Sequence, residues 1–180
     1  MLFDQDIVVP ETLMSDALSV RLMDERARYN LRLKSGDLPA FKKATGLALP
    51  RKVNASSVNN DTSCFCLGPD EWVVITDIKL KTKLDKALAK AGKGFVCSIT
   101  DISHRNVGFD ISGPESVSLI NVGCPLDLSL EKFPVGKVTR TVFESVSIML
   151  LRTGEESFHV ECWRSFAPYL RDYFKRVVTS

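Results

Sequence analysis

The chain has 180 residues, 44% of them apolar and 26% charged, with a formal charge of +2. A chain of this size buries about 70% of its unfolded surface on folding, so neither a disulfide nor a structural metal is required. So small a net charge argues against generic nucleic-acid binding, and no apolar run reaches the ~18 residues of a membrane span. The start, Met1-Leu-Phe-Asp-Gln-Asp, lacks the basic region and long apolar core of a signal peptide, so a cytoplasmic location is expected.

Residues 1–25 read as an extended N-terminal arm, broken by Pro10-Glu11-Thr12, in which Leu13 to Leu22 has the length of a short helix. A first α+β half is expected over 26–102. It opens with a strand from Arg26 to Lys34: Ala27, Tyr29, Leu31 and Leu33 share one face, and Arg26, Arg28, Arg32 and Lys34 share the other with Asn30. Asp37 is placed to cap a helix over Leu38 to Thr45 that ends at Gly46, and 51–62, rich in Asn and Ser, reads as a loop. A hairpin follows, Cys64 to Leu67 and Trp72 to Thr76 around Gly68-Pro69-Asp70-Glu71. Asp77 leads into an amphipathic helix from Lys79 to Ala91, and Phe95 to Asp101 reads as a strand.

The second half, 103–180, repeats this plan. Val107 to Ser112 is a strand, Gly113-Pro114 starts a helix that ends at Gly123, and strands follow over Val138–Phe143, Val146–Leu151 and Phe158–Cys162. Ser165 is placed to cap a last helix with an apolar stripe of Phe166, Tyr169, Leu170, Tyr173, Phe174 and Val177. Leu67-Gly-Pro-Asp-Glu-Trp-Val-Val resembles Thr153-Gly-Glu-Glu-Ser-Phe-His-Val, and a helix follows each. The fold class implied is α+β, two ferredoxin-like βαββα units packed as one compact body.

Chemistry is sparse. His104 has Asp101 before it and Arg105 after it, but no nucleophile is tied to it, so a strand-end histidine bonding backbone or a partner chain is favoured. His159 faces away from Phe158 and Val160 and reads as a surface or interface imidazole. Cys124 follows a helix and has no neighbouring base, which favours a packing thiol, and Asp127 reads as a turn cap. Ser112-Gly113-Pro114 offers a helix N-terminus without a glycine-rich cradle. Of five cysteines, Cys64 and Cys66 share a strand face, but no second pair stands at zinc spacing; reduced, mostly buried thiols are expected. Residues 21–60 carry nine bases and three acids, so the basic face of the first strand reads either as an edge defended by charge or as a docking face for an acidic partner. Around Trp163-Arg164-Ser165-Phe166 the aromatics are expected to pack the core, and Arg164 at a helix start favours a partner or a buried ion pair.

Seven phrases in order resemble the gamma subunit family of heterotetrameric sarcosine oxidase, over most of residues 26–175. They are Leu67-Gly-Pro-Asp-Glu-Trp, Asp101-Ile-Ser-His-Arg, Ile111-Ser-Gly-Pro, Gly123-Cys-Pro-Leu-Asp-Leu, Phe133-Pro-Val-Gly, Arg152-Thr-Gly and Trp163-Arg-Ser-Phe-Ala. The resemblance implies a complex that oxidatively demethylates sarcosine to glycine, releases formaldehyde or passes the carbon to tetrahydrofolate, and makes hydrogen peroxide. It implies alpha, beta and delta partner subunits, which hold FAD, FMN, NAD, the folate site and zinc. No catalytic, cofactor-binding or metal residue is carried onto this chain, whose implied role is assembly.

More distantly, Ile111-Ser-Gly-Pro and Pro134-Val-Gly are similar to the folate-binding aminomethyltransferase fold of the glycine cleavage T-protein. That family places acidic residues in the strand after its glycine-rich hairpin; here the segment reads Ser145-Val-Ser-Ile-Met-Leu-Leu. A stand-alone folate-binding or aminomethyl-transfer protein is therefore the alternative, and a thiol enzyme using Cys124 a third reading.

Overall fold

The structure, a computed structural model, describes residues 12–59 and 61–178. The part of the expected arm over residues 1–11 lies outside the described residues. The chain runs β1 (Thr12–Met14), β2 (Ser19–Leu22), β3 (Arg26–Leu33), α1 (Leu38–Thr45), β4 (Ser56–Asn59), β5 (Thr62–Gly68), β6 (Glu71–Asp77), α2 (Lys81–Ala91) and β7 (Cys97–Asp101). It continues through β8 (Asn106–Ser112), α3 (Ser116–Gly123), β9 (Val138–Phe143), β10 (Val146–Gly154), β11 (Ser157–Trp163) and α4 (Ala167–Val178). Two units form. One is Glu25–Ser103; the other joins the described residues of Met1–Asp24 to those of His104–Ser180.

In Glu25–Ser103 the five strands lie in the order β4-β5-β6-β3-β7, all neighbours antiparallel. Without the short edge strand β4 this is the ferredoxin-like βαββαβ arrangement. The two-residue period of β3 turns Ala27, Tyr29, Leu31 and Leu33 to one face, where α1 and α2 add Leu38, Phe41, Leu84 and Leu88 to a single core. Burying each of these large side chains contributes roughly 1.5–3 kcal/mol.

Three expectations change here. The segment 51–62 contains β4, an edge strand in which Val58 and Asn59 are exposed while Ser56 and Ser57 are half-buried and Ser57 Oγ donates to Ala48 O. Asp37 precedes α1 without a side-chain cap bond, because a short 3-10 turn over Ser35–Asp37 already leads in. The basic face of β3 is not an edge: β3 is flanked by β6 and β7, Arg28 is 2% exposed, and the half-exposed Arg32 pairs with Asp70 and Glu71 at 3.1 Å each.

In the other unit six antiparallel strands lie in the order β1-β2-β8-β11-β10-β9, with α3 and α4 against one face. Phe174 of α4 stands edge-on to Phe109 and Phe143, with ring centroids 5.5 and 5.4 Å apart. The described residues of the expected arm are part of this sheet. Leu18, Val20 and Leu22 are buried while Ser19 and Arg21 alternate with them, the period of a strand rather than of a helix. β2 pairs with β8 from Ser19↔Ser112 to Leu22↔Phe109, the place that β7 takes beside β3.

Over the hairpin and the helix that follows it, the two units repeat one plan at an offset of 86 positions, seen in Gly68 and Gly154, Glu71 and Ser157, and Lys81 and Ala167. Each hairpin carries a bulge at the same place, between Cys66 and Gly68 and between Arg152 and Gly154. The carbonyl freed by each bulge is bonded by the side chain two residues before it: the Cys66 thiol donates to Gly68 O at 3.2 Å, and Arg152 Nε to Gly154 O at 3.1 Å.

Candidate functional site

The strongest polar constellation lies on β8 and β11, on the sheet face opposite the helices. His159 faces away from Phe158 and Val160 as its strand position requires, but it is buried, at 7% exposure, rather than on the surface. Its Nδ1 stands 2.8 Å from Asp110 Oδ1, directly across the ladder, and its Nε2 stands 3.0 Å from Glu161 Oε1, two residues along the strand. Gly108, opposite Glu161, leaves room for the ring: a Cβ there would lie 2.7 Å from His159 Cε1. Burial works against the charged imidazole, but hydrogen bonds and charge from the two carboxylates outweigh it and raise its pKa from 6.5 to about 9. The ring is thus an imidazolium at neutral pH. Both nitrogens donate to the protein's own carboxylates, so neither is placed to take a proton from a substrate. Asp110 and Glu161 escaped the sequence reading; the signal was their alternation with Phe109, Ile111, Val160 and Cys162 on apolar strands.

A second constellation orders the loop between α3 and β9. Arg152, 3% exposed, sends Nη1 to Leu128 O at 2.6 Å and Phe133 O at 3.0 Å, and Nη2 to Glu155 O. Its guanidinium also lies 4.9 Å from the Phe158 ring centre. Three of the sequence landmarks, around Cys124, Phe133 and Arg152, are therefore one structure. Within this loop Cys124 is a buried thiol 3.8 Å from Thr141 Oγ1, and Asp127 accepts from Ser129 N at 2.9 Å as a turn cap. Ser112-Gly113-Pro114 leads to α3, which starts at Ser116 rather than at Pro114. Gly113 has φ +120°, and a Cβ on it would run into the backbone of Ala17. Gly113 thus allows the close passage of the segment before β2.

In Glu25–Ser103, Asp101 is held by Ser103 and Lys81. Its Oδ1 accepts from Ser103 N at 2.9 Å and Ser103 Oγ at 2.5 Å, and its Oδ2 pairs with Lys81 Nζ at 2.7 Å. Lys81 also meets Asp85 at 3.0 Å, and Asp85 accepts from Tyr29 OH at 2.6 Å. Burial acts to raise the Asp101 carboxyl, but Lys81 and Ser103 hold it down at about 2. Burial and the bond to Asp85 push Tyr29 up to about 12. A cavity of about 370 Å³ lies beside Tyr29, Asp85 and Asp101, and another of about 400 Å³ lies over Leu47, Cys64 and Leu84. Each holds a thiol, and burial pushes Cys64 up to about 12 and Cys97 upward as well. Among the described residues no group of three or more His, Cys, Asp or Glu side chains is arranged to hold a metal ion. No described helix is long and apolar enough to cross a membrane.

The Trp163-Arg164-Ser165-Phe166 phrase departs from its expectation. Trp163 is 51% exposed and stacks on Phe166, itself 38% exposed, with centroids 6.2 Å apart. Ser165 lies inside a 3-10 turn over Arg164–Phe166 that feeds α4, rather than directly before the helix. The apolar stripe of α4 divides: Ala167, Leu170, Phe174 and Val178 are buried, while Phe166, Tyr169 and Val177 face outward.

The fold is shared with a chain of the heterotetrameric sarcosine oxidase from Corynebacterium sp. U-96 in complex with pyrrole 2-carboxylate, at a TM-score of 0.80 and 23% identity over 93% of this chain and 87% of that one. It is shared more distantly with the glycine cleavage system aminomethyltransferase T from Bartonella henselae, at a TM-score of 0.65 and 14% identity over 84% of this chain and 44% of that one. These likenesses place the fold among the aminomethyltransferase-like α+β proteins. In sequence, the chain is 31% identical to sarcosine oxidase subunit gamma of Corynebacterium sp. strain P-1 over 75% of its own length and 66% of that protein's. It is 30% identical to the subunit of the same name from an Arthrobacter species, over 67% of this chain and 59% of the relative. The chain thus spans just under two thirds of the curated relatives it matches. The model of the sarcosine oxidase, gamma subunit family matches residues 36–179, across both repeats and the loop that Arg152 holds, and the chain belongs to that family.

Proposed function

We propose that the chain is the gamma subunit of a heterotetrameric sarcosine oxidase and serves assembly rather than chemistry. The observation that carries the reading is where its strongest polar groups end: His159 on Asp110 and Glu161, Arg152 on backbone carbonyls, Lys81 on Asp85 and Asp101. Each holds the chain's own elements together, and none presents an acid or base beside a nucleophile. Alpha, beta and delta subunits hold FAD, FMN, NAD, tetrahydrofolate and zinc in this reading. The complex, in the cytoplasm, converts sarcosine to glycine with formaldehyde or methylene-tetrahydrofolate and hydrogen peroxide. β10 runs Val-Ser-Ile-Met-Leu-Leu before Arg152 with no carboxylate to meet a pterin, so no one-carbon step is assigned to this chain.

The test is co-expression with the other subunits and a pull-down on a tag carried by this chain. A yellow complex that consumes oxygen with sarcosine supports the reading. A colourless chain that purifies alone overturns it and makes tetrahydrofolate titration the next measurement.

A further inference from the structure

We infer that the open edge of β7 is a docking strand: an extended segment of a partner subunit adds to it antiparallel, with an apolar side chain opposite Ile99 and a basic one opposite Asp101. This rests on the reading of the chain as one subunit of a heteromeric complex, and it names a surface by which that reading is met. The first observation is the edge itself. β7 ends its sheet, paired with β3 from Tyr29↔Asp101 to Leu33↔Cys97 and, among the described residues, with no strand beyond. It runs Cys-Ser-Ile-Thr-Asp, without the lysine, proline or bulge that keeps many natural edges from pairing. Val96, just before it, is 81% exposed, more than any other large apolar side chain among the described residues.

The second observation is the internal repeat, which shows the same edge covered. Leu31 and Ile111 oppose Trp72 and Phe158, which are related by the hairpin offset of 86, so β3 corresponds to β8. Ile99, opposite Leu31, therefore corresponds to Val20, opposite Ile111, and Cys97 to Leu18, two residues before. Beyond β2 the second unit has one more antiparallel strand, β1, whose Leu13 opposes Val20 and packs on the core. Val20 and Leu18, so covered, are 2% and 4% exposed, while Ile99 and Cys97 are half-buried. Where one unit has Leu13, the other has the cavity of about 370 Å³, lined by Cys97 and Ile99 of β7 and by Leu88, Ala89 and Gly92 at α2. An apolar side chain opposite Ile99 is the counterpart this edge lacks.

The third observation selects the occupant by charge. Asp85 and Asp101 both line the cavity, and Asp101 shares the inward face of β7 with Ile99. Lys81 meets the two carboxylates at 3.0 and 2.7 Å, one ammonium for two negative charges. Lys83, Lys86 and Lys90 of α2 are exposed and do not line the cavity. A base on the incoming strand opposite Asp101, two residues before the apolar side chain opposite Ile99, supplies the missing counter-charge. Residues 1–11 of this chain carry Asp4, Asp6 and Glu11 without a lysine or arginine, which is the wrong sign. A second copy that paired β7 with β7 and Ile99 with Ile99 would set the neutral Cys97 opposite Asp101. A partner segment of basic–x–apolar pattern fits.

The experiment uses the full chain co-expressed with the other subunits, as wild type, as Ala89→Phe and as Asp85→Asn. Ala89 is exposed on α2 and lines the cavity, so a Phe there takes the place of the incoming side chain, and the isolated variant is expected to keep its melting temperature. Hydrogen exchange over residues 96–101 of wild type is expected to slow at least about tenfold on entering the complex, the backbone signature of an added strand. Retention on a tagged partner subunit is expected to fall at least about tenfold for Ala89→Phe, and to weaken with salt more steeply for wild type than for Asp85→Asn. A photo-crosslinker at position 89 is expected to capture a peptide of another subunit with a base two residues before an apolar side chain. Unchanged exchange over β7 in an intact complex, or an Ala89→Phe chain that co-purifies as well as wild type, overturns the docking edge and leaves the subunit reading standing. Equal salt dependence, or a captured peptide without the base, overturns the basic occupant. A wild-type chain that joins no complex overturns both the edge and the subunit reading. Protection of β7 that rises with the concentration of the isolated chain assigns the edge to a second copy and overturns the partner. Protection present in the isolated chain and lost on removing residues 1–11 assigns it to the chain's own first residues, with the same consequence.

Discussion

The guanidinium of Arg152 reaches carbonyl oxygens at Leu128, Phe133, Gly154 and Glu155, which belong to the loop before β9 and to the β10–β11 turn. Buried carbonyls left without donors cost about 1–3 kcal/mol each, partly recovered where water enters. Arg152→Met keeps the stem against Phe158 but removes every donor. It is expected to lower the unfolding free energy by about 3 kcal/mol or more, read as a fall in the urea midpoint at unchanged slope. A midpoint equal to wild type would show that the loop needs no anchor. Gly113 is the other residue on which the local path depends. Its φ of +120° is a region that side-chain-bearing residues rarely adopt, and a Cβ would also strike the backbone of Ala17 and Leu18. Gly113→Ala therefore combines strain with a clash against main chain. The expected cost is about 2 kcal/mol or more, checked by the same denaturation. Both residues were visible in the sequence as parts of short phrases, but not their reasons. A guanidinium that gathers distant carbonyls, and a glycine that lets another strand pass, are long-range facts with no local periodicity.

At the level of elements, the His159 clamp joins β8 to β11 by charge as well as by ladder bonds. Its folded pKa of about 9 lies above the value of about 6.5 expected of an unfolded chain, so the folded state holds the proton more tightly. The resulting stability is fully present below about pH 6.5 and is lost as pH rises through about 9. The shift corresponds to an order of 3 kcal/mol. Wild type is expected to lose about that much unfolding free energy between pH 6.5 and 9.5, and His159→Gln markedly less. The buried Cys64 thiol, pushed up to about 12, costs stability in the upper part of the same window. It does so equally in both proteins, so their difference isolates the histidine. Parallel pH profiles for the two would remove the clamp from the stability of the sheet. Sequence reading gave the facing of His159 correctly from the strand period but left it at the surface or an interface, without its two carboxylate partners. A period of two states which residues share a face, not whether that face meets water. The same limit explains β3, whose arginines were legible as one face while its central place between β6 and β7 was not.

At the level of the whole molecule, the repeated plan was legible because the Gly68 and Gly154 hairpins look alike, and the shared bulge gives that likeness a structural cause. What the repeat could not show was where the second unit finds its fourth ferredoxin-like strand. The first unit takes β7 from after its second helix. The second has α4 near the end of the chain and draws β2 from before β3, across about 85 residues of sequence. Three buried side chains of that segment, Leu18, Val20 and Leu22, are 4%, 2% and 4% exposed and pack with Phe109 and Ile111 of β8. At roughly 1.5–3 kcal/mol each, their loss approaches the whole stability of an ordinary domain, about 5–15 kcal/mol. Deleting residues 1–22 would also leave β8 as an open sheet edge bearing unpaired N–H and C=O groups. The truncated chain is expected to lose cooperative unfolding and to aggregate, with amide protection lost first over β8 and α4 and retained over β3 and β6. A synthetic peptide spanning 12–22 is expected to restore protection on β8 by adding back the strand. A truncated chain that keeps the wild-type urea midpoint would mean that β2 decorates a sheet already complete without it. Restoration by the peptide would instead make the segment before β3 an integral part of a fold whose other strands lie beyond residue 104.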